Sequence, residues 1–309
     1  MIDTHAHLDF PEFDQDREEV IARAFGNGGK AIVNVGVDLE RSKKSIEIAE
    51  KFDGVFAAIG FHPDNFNSVE EIPISNFQIP NKSQIPNLKH KNLFSELKSI
   101  AKHKKVVAIG ECGLDYNRLN NLGKPDFSRG NPVSAGEIKE NQKRGFLAQI
   151  EIAEELNLPV IVHCREAWDD VFDIISQKSK VKSQNYNLKV ESIETKFVLH
   201  CYSGGKKDTE KFLKLPNIYF SFSGNITYPK PKERAEKLAE AVQMIPLDKM
   251  MLDSDAPFLA PQEFRGKRNE PIFVEYIAKK IAEIKRISEK EVERKTDENA
   301  ERFFSIGGN

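Results

Sequence analysis

Five short apolar runs spread along the chain each close on side chains that bind divalent metals. The first is Ile2-Asp3-Thr4-His5-Ala6-His7, followed by Val106-Val107-Ala108-Ile109-Gly110-Glu111 and Val160-Ile161-Val162-His163. The last two are Phe197-Val198-Leu199-His200 and Met250-Met251-Leu252-Asp253-Ser254-Asp255. Each has the length and largely apolar character of a strand buried in a parallel sheet. His5 and His7 stand two apart, so on a strand both imidazoles face one side. One His-x-His pair fits an ordinary surface strand. The recurrence of imidazole and carboxylate at successive strand ends is what narrows the fold. In a barrel of parallel strands those ends gather on one face, where such enzymes keep their sites.

The stretches between these runs supply the remaining elements. Strands are expected over Ala31–Val35, Val55–Ile59 and Ile218–Phe222, with the fifth strand opened by Pro159. Helical periodicity marks 12–25, closed by Gly26, and a helix reaching Phe52 that Asp38 can cap. It marks 93–103, 137–156, 166–175 and 233–244 as well, then two tail helices over 271–284 and 288–304. The second tail helix opens on a Ser288-x-x-Glu291 capping box. Eight strands each followed by a helix predict an α/β chain folded as a (β/α)8 TIM barrel of the metal-dependent hydrolase type. No linker or fixed-period repeat divides the chain, so 1–309 is expected to be one domain. Three polar stretches, near 64–91, 117–136 and 176–195, read as insertions. The second is expected on the face of the site and the third away from it.

Charge and composition narrow the partners. Lys+Arg 46 against Asp+Glu 48 leaves a formal charge of -2, so no overall positive field draws nucleic acid. A nucleic-acid substrate must then be held locally, by the metals and a few basic loops. The chain opens without a basic segment leading into an apolar one, so no signal peptide is expected. No apolar run nears the ~20 residues of a membrane helix. Cys112, Cys164 and Cys201 form no CxxC and suggest no disulfide framework. They read as small buried thiols in a reducing cytoplasm. No obligate protein partner is evident.

Imidazole and carboxylate without thiolate suit Zn, Mn or Co, and Mg where oxygen ligands dominate. The six candidates His5, His7, Glu111, His163, His200 and Asp255 exceed what one catalytic ion needs. A carboxylate such as Glu111 can bridge two ions, which points to a two-metal hydrolase with metal-activated water. Asp255 can serve as ligand, as general base, or as both. His62, in Gly60-Phe61-His62-Pro63, follows the third strand and is a candidate substrate contact. Arg165, two residues after His163, can share its side, and a guanidinium matches phosphate geometry. Ser203-Gly204-Gly205 at a helix start can offer N–H groups to phosphate. The basic loop Arg265-Gly266-Lys267-Arg268 follows the eighth strand as a further phosphate candidate.

Taken together, these motifs resemble the TatD family of metal-dependent hydrolases, within the amidohydrolase-like barrels. The resemblance spans nearly the whole chain. It rests on Asp3-Thr4-His5-Ala6-His7-Leu8, Gly60-Phe61-His62-Pro63 and Ile109-Gly110-Glu111-Cys112-Gly113-Leu114-Asp115-Tyr116. Later matches are Val162-His163-Cys164-Arg165, His200-Cys201-Tyr202-Ser203-Gly204, Asp255-Ala256-Pro257-Phe258-Leu259-Ala260-Pro261 and Arg265-Gly266-Lys267-Arg268-Asn269-Glu270-Pro271. The resemblance implies a divalent-metal-dependent deoxyribonuclease acting on DNA, with metals on His5, His7, Glu111, His163, His200 and Asp255 and Glu111 shared. It also implies that related proteins act on other esters, including D-aminoacyl-tRNA. Asp253 stands where many members carry Glu, and the three polar stretches are longer than usual. Two other readings stay in play. One is an ester or amide hydrolase of the wider superfamily, against which Glu111 stands where many members carry a carboxylated lysine. The other is a non-catalytic metal or nucleic-acid binding protein, against which every ligand position is filled.

Overall fold

Val, Ile, Ala and Phe fill eight short segments of the chain, and each is buried along nearly its whole length. A computed structural model describes residues 1–67, 88–117, 119, 134–184 and 195–307. Of the three polar stretches, residues 68–87, 118, 120–133 and 185–194 lie outside the described residues. The strands are β1 (Ile2–Ala6), β2 (Ala31–Val35), β3 (Val55–Ile59), β4 (Val106–Asp115), β5 (Val160–Arg165), β6 (Phe197–Leu199), β7 (Ile218–Phe222) and β8 (Met250–Leu252). They pair in parallel in chain order as one eight-stranded sheet. Its two edges meet just past β8. Ala6 bridges Ala256, Asp255 N donates to His5 O (2.9 Å) and His7 N donates to Ala256 O (2.7 Å). The Thr4 hydroxyl donates to Leu252 O (2.8 Å). This closure makes the sheet the expected (β/α)8 barrel.

Around it run α1 (Arg17–Gly26), α2 (Leu39–Lys51), α3 (Leu88–Ile100), α4 (Ala135–Leu156), α5 (Trp168–Gln184), α6 (Lys206–Phe212), α7 (Lys232–Met244), α8 (Val274–Lys285) and α9 (Glu289–Phe304). Strand residues such as Ile32, Ala57, Val160, Val162, Phe220 and Leu252 pack outward with the helices. Alternate residues, among them Val33, Ala58, Ile161, Val198 and Met251, form a second core with Phe303 and Phe304 of α9. Asp297 of α9 accepts from Ile2 N (2.8 Å), and Asn299 donates to Met250 O (2.8 Å). Helix α9 therefore plugs the end of the barrel where strands begin, leaving the other end for the candidate metal-binding side chains.

Local chemistry sets the element ends. The Asp38 carboxylate accepts from Arg41 N (2.8 Å) at the start of α2. Ser288 accepts from Glu291 N (3.2 Å), which is one half of the expected capping box. Several bounds move from the sequence reading. The helix expected over 12–25 is a 3-10 turn at Pro11–Phe13 followed by α1. Helix α3 starts at Leu88, and α5 runs on to Gln184 because Lys and Ser do not break a helix. Strand β4 passes Glu111 and continues to Asp115, with its pairing to β5 shifted between Ile109 and Cys112. Among the described residues no helix is long and apolar enough to cross a membrane.

Candidate metal centre

Glu111 projects from the irregular part of β4, flanked by two glycines the close approach requires. Gly110 (φ +148°) and Gly113 (φ +147°) press against β5, and a Cβ on Gly113 would lie 2.0 Å from His163 O. Only glycine holds that backbone at that distance. The two carboxylate oxygens of Glu111 then face different imidazoles. Oε2 lies 3.5 Å from His5 Nε2 and 3.8 Å from His7 Nε2. Oε1 lies 2.5 Å from His163 Nδ1 and 2.7 Å from His200 Nε2.

The first half of the site is completed by Asp255. Its Oδ1 is 3.6 Å from His7 Nε2 and 4.0 Å from His5 Nε2, and those two nitrogens are 3.2 Å apart. A tetrahedral ion with bonds of about 2.0–2.2 Å has donor atoms roughly 3.3–3.6 Å apart, close to these separations. Asp255 adopts the left-handed backbone region (φ 55°), a conformation that non-glycine residues hold at some cost, concentrated at functional sites. In the second half, His163 Nδ1 and His200 Nε2 are 3.4 Å apart. The His5 and His200 rings stack at 4.0 Å and join the two halves. All six candidate ligands thus come together.

The outer atoms of the imidazoles fix which nitrogen faces inward. His7 Nδ1 donates to Val35 O (2.8 Å), so Nε2 is the nitrogen turned to the centre, where it can give its lone pair to an ion once its proton is displaced. Asp115 Oδ2 stands 3.5 Å from His163 Nε2, and Asp253 Oδ2 stands 3.6 Å from His200 Nδ1. Asp253 also accepts from Ser221, Ser223 and Cys201 N at 2.6–2.9 Å, tying the ends of β6 to β8 together. Asp3 accepts from Ser254 N, the Ser254 hydroxyl and His5 N, which seats β1 against the segment after β8. Sequence reasoning placed neither Asp115 nor Asp3 in the site. Asp253 is marked in the sequence only as standing where many members of the resembled family carry Glu.

Charge in this buried cage is balanced among its own groups. Burial opposes ionisation of Glu111, but His200, His163 and His5 hold its carboxyl well below the ordinary value. Burial pulls His7 down, and Asp255 and Glu111 outweigh it, raising His7 to about 9. His163 and His200 are also raised, again against burial, by Asp115 or Asp253 together with Glu111. His5 is lowered, by burial first and by neighbouring His200. A carboxylate among imidazoles attracts positive charge to this point, and divalent ions fit the same need. Among the described residues three groups have ligand atoms close enough to share an ion: His5, His7 and Asp255; His5, His200 and Asp253; and His62, Glu111 and His163. The thiols join none of them. Burial pushes Cys112, Cys164 and Cys201 up, so they remain thiols.

The other sequence candidates fall around this cage. His62 Nδ1 accepts from Asp64 N (3.2 Å), which leaves the hydrogen on Nε2, 3.8 Å from Glu111 Oε1. Burial, then the neighbouring His163, lowers His62 to about 4, so it stays a neutral donor. Arg165, at the end of β5, is exposed. Ser203 is half-buried ahead of α6, but the Gly205 N–H is taken by Asp208 (2.9 Å), whose carboxylate also opposes an anion there. In the basic loop Arg268 is committed to Asp16 (2.6 and 2.7 Å), Glu12 O and Glu270. Arg265 lies over the Tyr228 ring at 4.5 Å. That loop is chiefly a clamp between the end of the barrel and α1.

Similarity to known proteins places the chain in a family. The family model described as TatD related DNase matches residues 2–305. An uncharacterized metal-dependent hydrolase of Bacillus subtilis, YabD, is 36% identical over 307 residues, covering 99% of each chain. A 3'-5' ssDNA/RNA exonuclease TatD of Shigella flexneri is 28% identical over 310 residues, again covering 99% of each. The crystal structure of a TatD homologue from Escherichia coli K12 superposes with a TM-score of 0.76 at 24% identity, covering 99% of this chain and 98% of that one. That likeness concerns the fold alone. The chain is a metal-dependent hydrolase belonging to the TatD-related DNase family.

Proposed function

We propose that this protein hydrolyses phosphodiester bonds at an end of single-stranded nucleic acid, DNA in particular, with two divalent ions sharing Glu111. The reading is carried by the division of that carboxylate, one oxygen toward His5 and His7, the other toward His163 and His200. His5, His7 and Asp255 would hold one ion and His163 and His200 the other; Mg, Mn, Co and Zn all suit such donors. When bound, the ions lower the pKa of a water and steady negative charge on phosphoryl oxygens. The remaining work belongs to the chain. Asp255 is more exposed than buried Glu111, and its carboxylate receives the proton of the attacking water. His62 turns its Nε2–H toward the same space and donates to a phosphoryl oxygen. Arg165 offers an exposed guanidinium to the backbone phosphate. The free thiols, Cys112 and Cys164 buried and Cys201 half-buried rather than buried as expected, suit a cytoplasmic enzyme, and the Shigella relative's name supplies the single-stranded substrate.

The test is protein stripped by chelator and incubated with end-labelled single-stranded DNA while Mg, Mn, Co or Zn is added back. Metal-restored cleavage is expected, with a product ladder that identifies the end attacked. Silence with every metal, together with release of an amino acid from D-aminoacyl-tRNA, would move the chemistry to deacylation. Arg165→Ala should raise KM for the oligonucleotide; an unchanged KM removes Arg165 from the substrate path.

A further inference from the structure

Among the described residues the one large apolar side chain left exposed is Phe258, at 47%. It does not sit on a loose surface loop. Phe258 N donates to Asp255 O (2.8 Å), only three residues from a candidate ligand. Fully buried Asn269 donates to Phe258 O (2.7 Å) and to Ser254 O (2.6 Å), and its own N–H donates to Pro257 O (3.0 Å). The backbone therefore fixes where the ring stands. Its edge contacts are aromatic: Phe10 at 5.8 Å and 83°, and His7 at 6.2 Å and 65°. Phe10 in turn stacks on His7 (4.8 Å, 29°) and carries the Arg41 guanidinium 4.4 Å above its ring. Arg41 is held by Asp9 O (3.0 Å).

An exposed phenyl held by buried hydrogen bonds gains nothing for the core. It lies one ring away from the metal centre, a reach comparable to that from a phosphate across its sugar to its base. We propose that Phe258, braced edgewise by Phe10, is the platform on which a nucleobase of the substrate stacks while its phosphodiester lies at the metal centre. The ligand class is a nucleobase of either ring size, since every base offers a π-face and stacking does not read hydrogen bonds. This rests on the nuclease reading above and adds to it how the end of the strand is gripped. Phosphates are held from the β5 side by Arg165, and a base is held from the β1 and β8 side by Phe258.

The test uses metal-loaded protein and oligonucleotides in which one of the last three nucleotides, in turn, lacks its base. Wild type should cleave all of them, with KM raised about five- to hundredfold when the missing base is the one that stacks. Phe258→Leu should raise KM for the intact strand by a similar factor and abolish its preference over that abasic strand. Phe258→Trp should restore both. A 2-aminopurine at the mapped position should lose fluorescence on binding wild type and Phe258→Trp but not Phe258→Leu. Equal KM for intact and abasic strands in wild type, or an unchanged preference in Phe258→Leu, would overturn the platform and leave the nuclease reading standing. Absence of cleavage of every strand by wild type would remove both. Sedimentation of wild type and Phe258→Leu covers the other use of such a ring: a dimer lost in the variant would assign it to a subunit contact and overturn the proposal.

Discussion

Glu111 carries the account at the scale of single residues, because one carboxylate lies between two sets of imidazoles. Glu111→Ala should lower turnover by at least about a thousandfold, as loss of a group central to metal catalysis does. Its circular dichroism should match wild type, since the side chain points into the site and not into packing; near-normal turnover would remove the bridging role. Asp253→Asn keeps the shape but removes the charge beside His200 Nδ1. It should weaken metal affinity by about 10–100-fold, measured by titration calorimetry, and an unchanged affinity would make Asp253 purely structural. The candidate ligands could be read from the chain because strand periodicity places His5 with His7 and ends each apolar run on a donor. The orienting carboxylates could not. Asp115 meets His163 across two strands, and Arg268 meets Asp16 across most of the chain, distances that no local pattern encodes.

At the scale of elements, β4 departs most from expectation. A strand read as ending on Glu111 instead continues to Asp115, and Gly110 and Gly113 let it press on β5. The glycines were visible in the sequence, but the neighbour that requires them was not. Gly113→Ala should cost more than about 1 kcal/mol, because its Cβ meets the His163 carbonyl. Chemical denaturation should show the loss, and it should disturb His163 as well; equal stability would mean that β5 yields there. Capped helices were more predictable: Asp38 sits at the start of α2 because its carboxylate needs only Arg41 N, three residues on. Helix α5 outran its expected end because its polar C-terminal part lacks an apolar period without lacking helix-forming residues.

At the scale of the whole molecule, the site and the Arg268–Asp16 clamp tie distant parts of the barrel together. Metal ions bound to β1, β4, β5 and the ends of β6 and β8 should stabilise the fold by mass action, about 2.7 kcal/mol at a hundredfold excess over Kd. A chelator should therefore lower Tm, and unchanged melting would mean that the ions do not bind the folded chain. The Arg268–Asp16 clamp carries a pH signature. Asp16 is lowered from 3.8 by its hydrogen bonds to Arg268, so the clamp's contribution is full above that pH and is lost as pH falls through the lower folded value. The Tm difference between wild type and Arg268→Ala should shrink in acid; a constant difference would assign the effect to packing of the guanidinium over the Phe13 ring, 4.6 Å away.

The shared carboxylate is tested most directly by titrating stripped protein with Mn²⁺ while following cleavage of single-stranded DNA and bound metal together. Two ions around Glu111 predict activity that climbs to a plateau at two equivalents per chain in wild type and stays absent in Glu111→Ala. Full activity at one equivalent, or cleavage that persists in the variant, would contradict the shared centre.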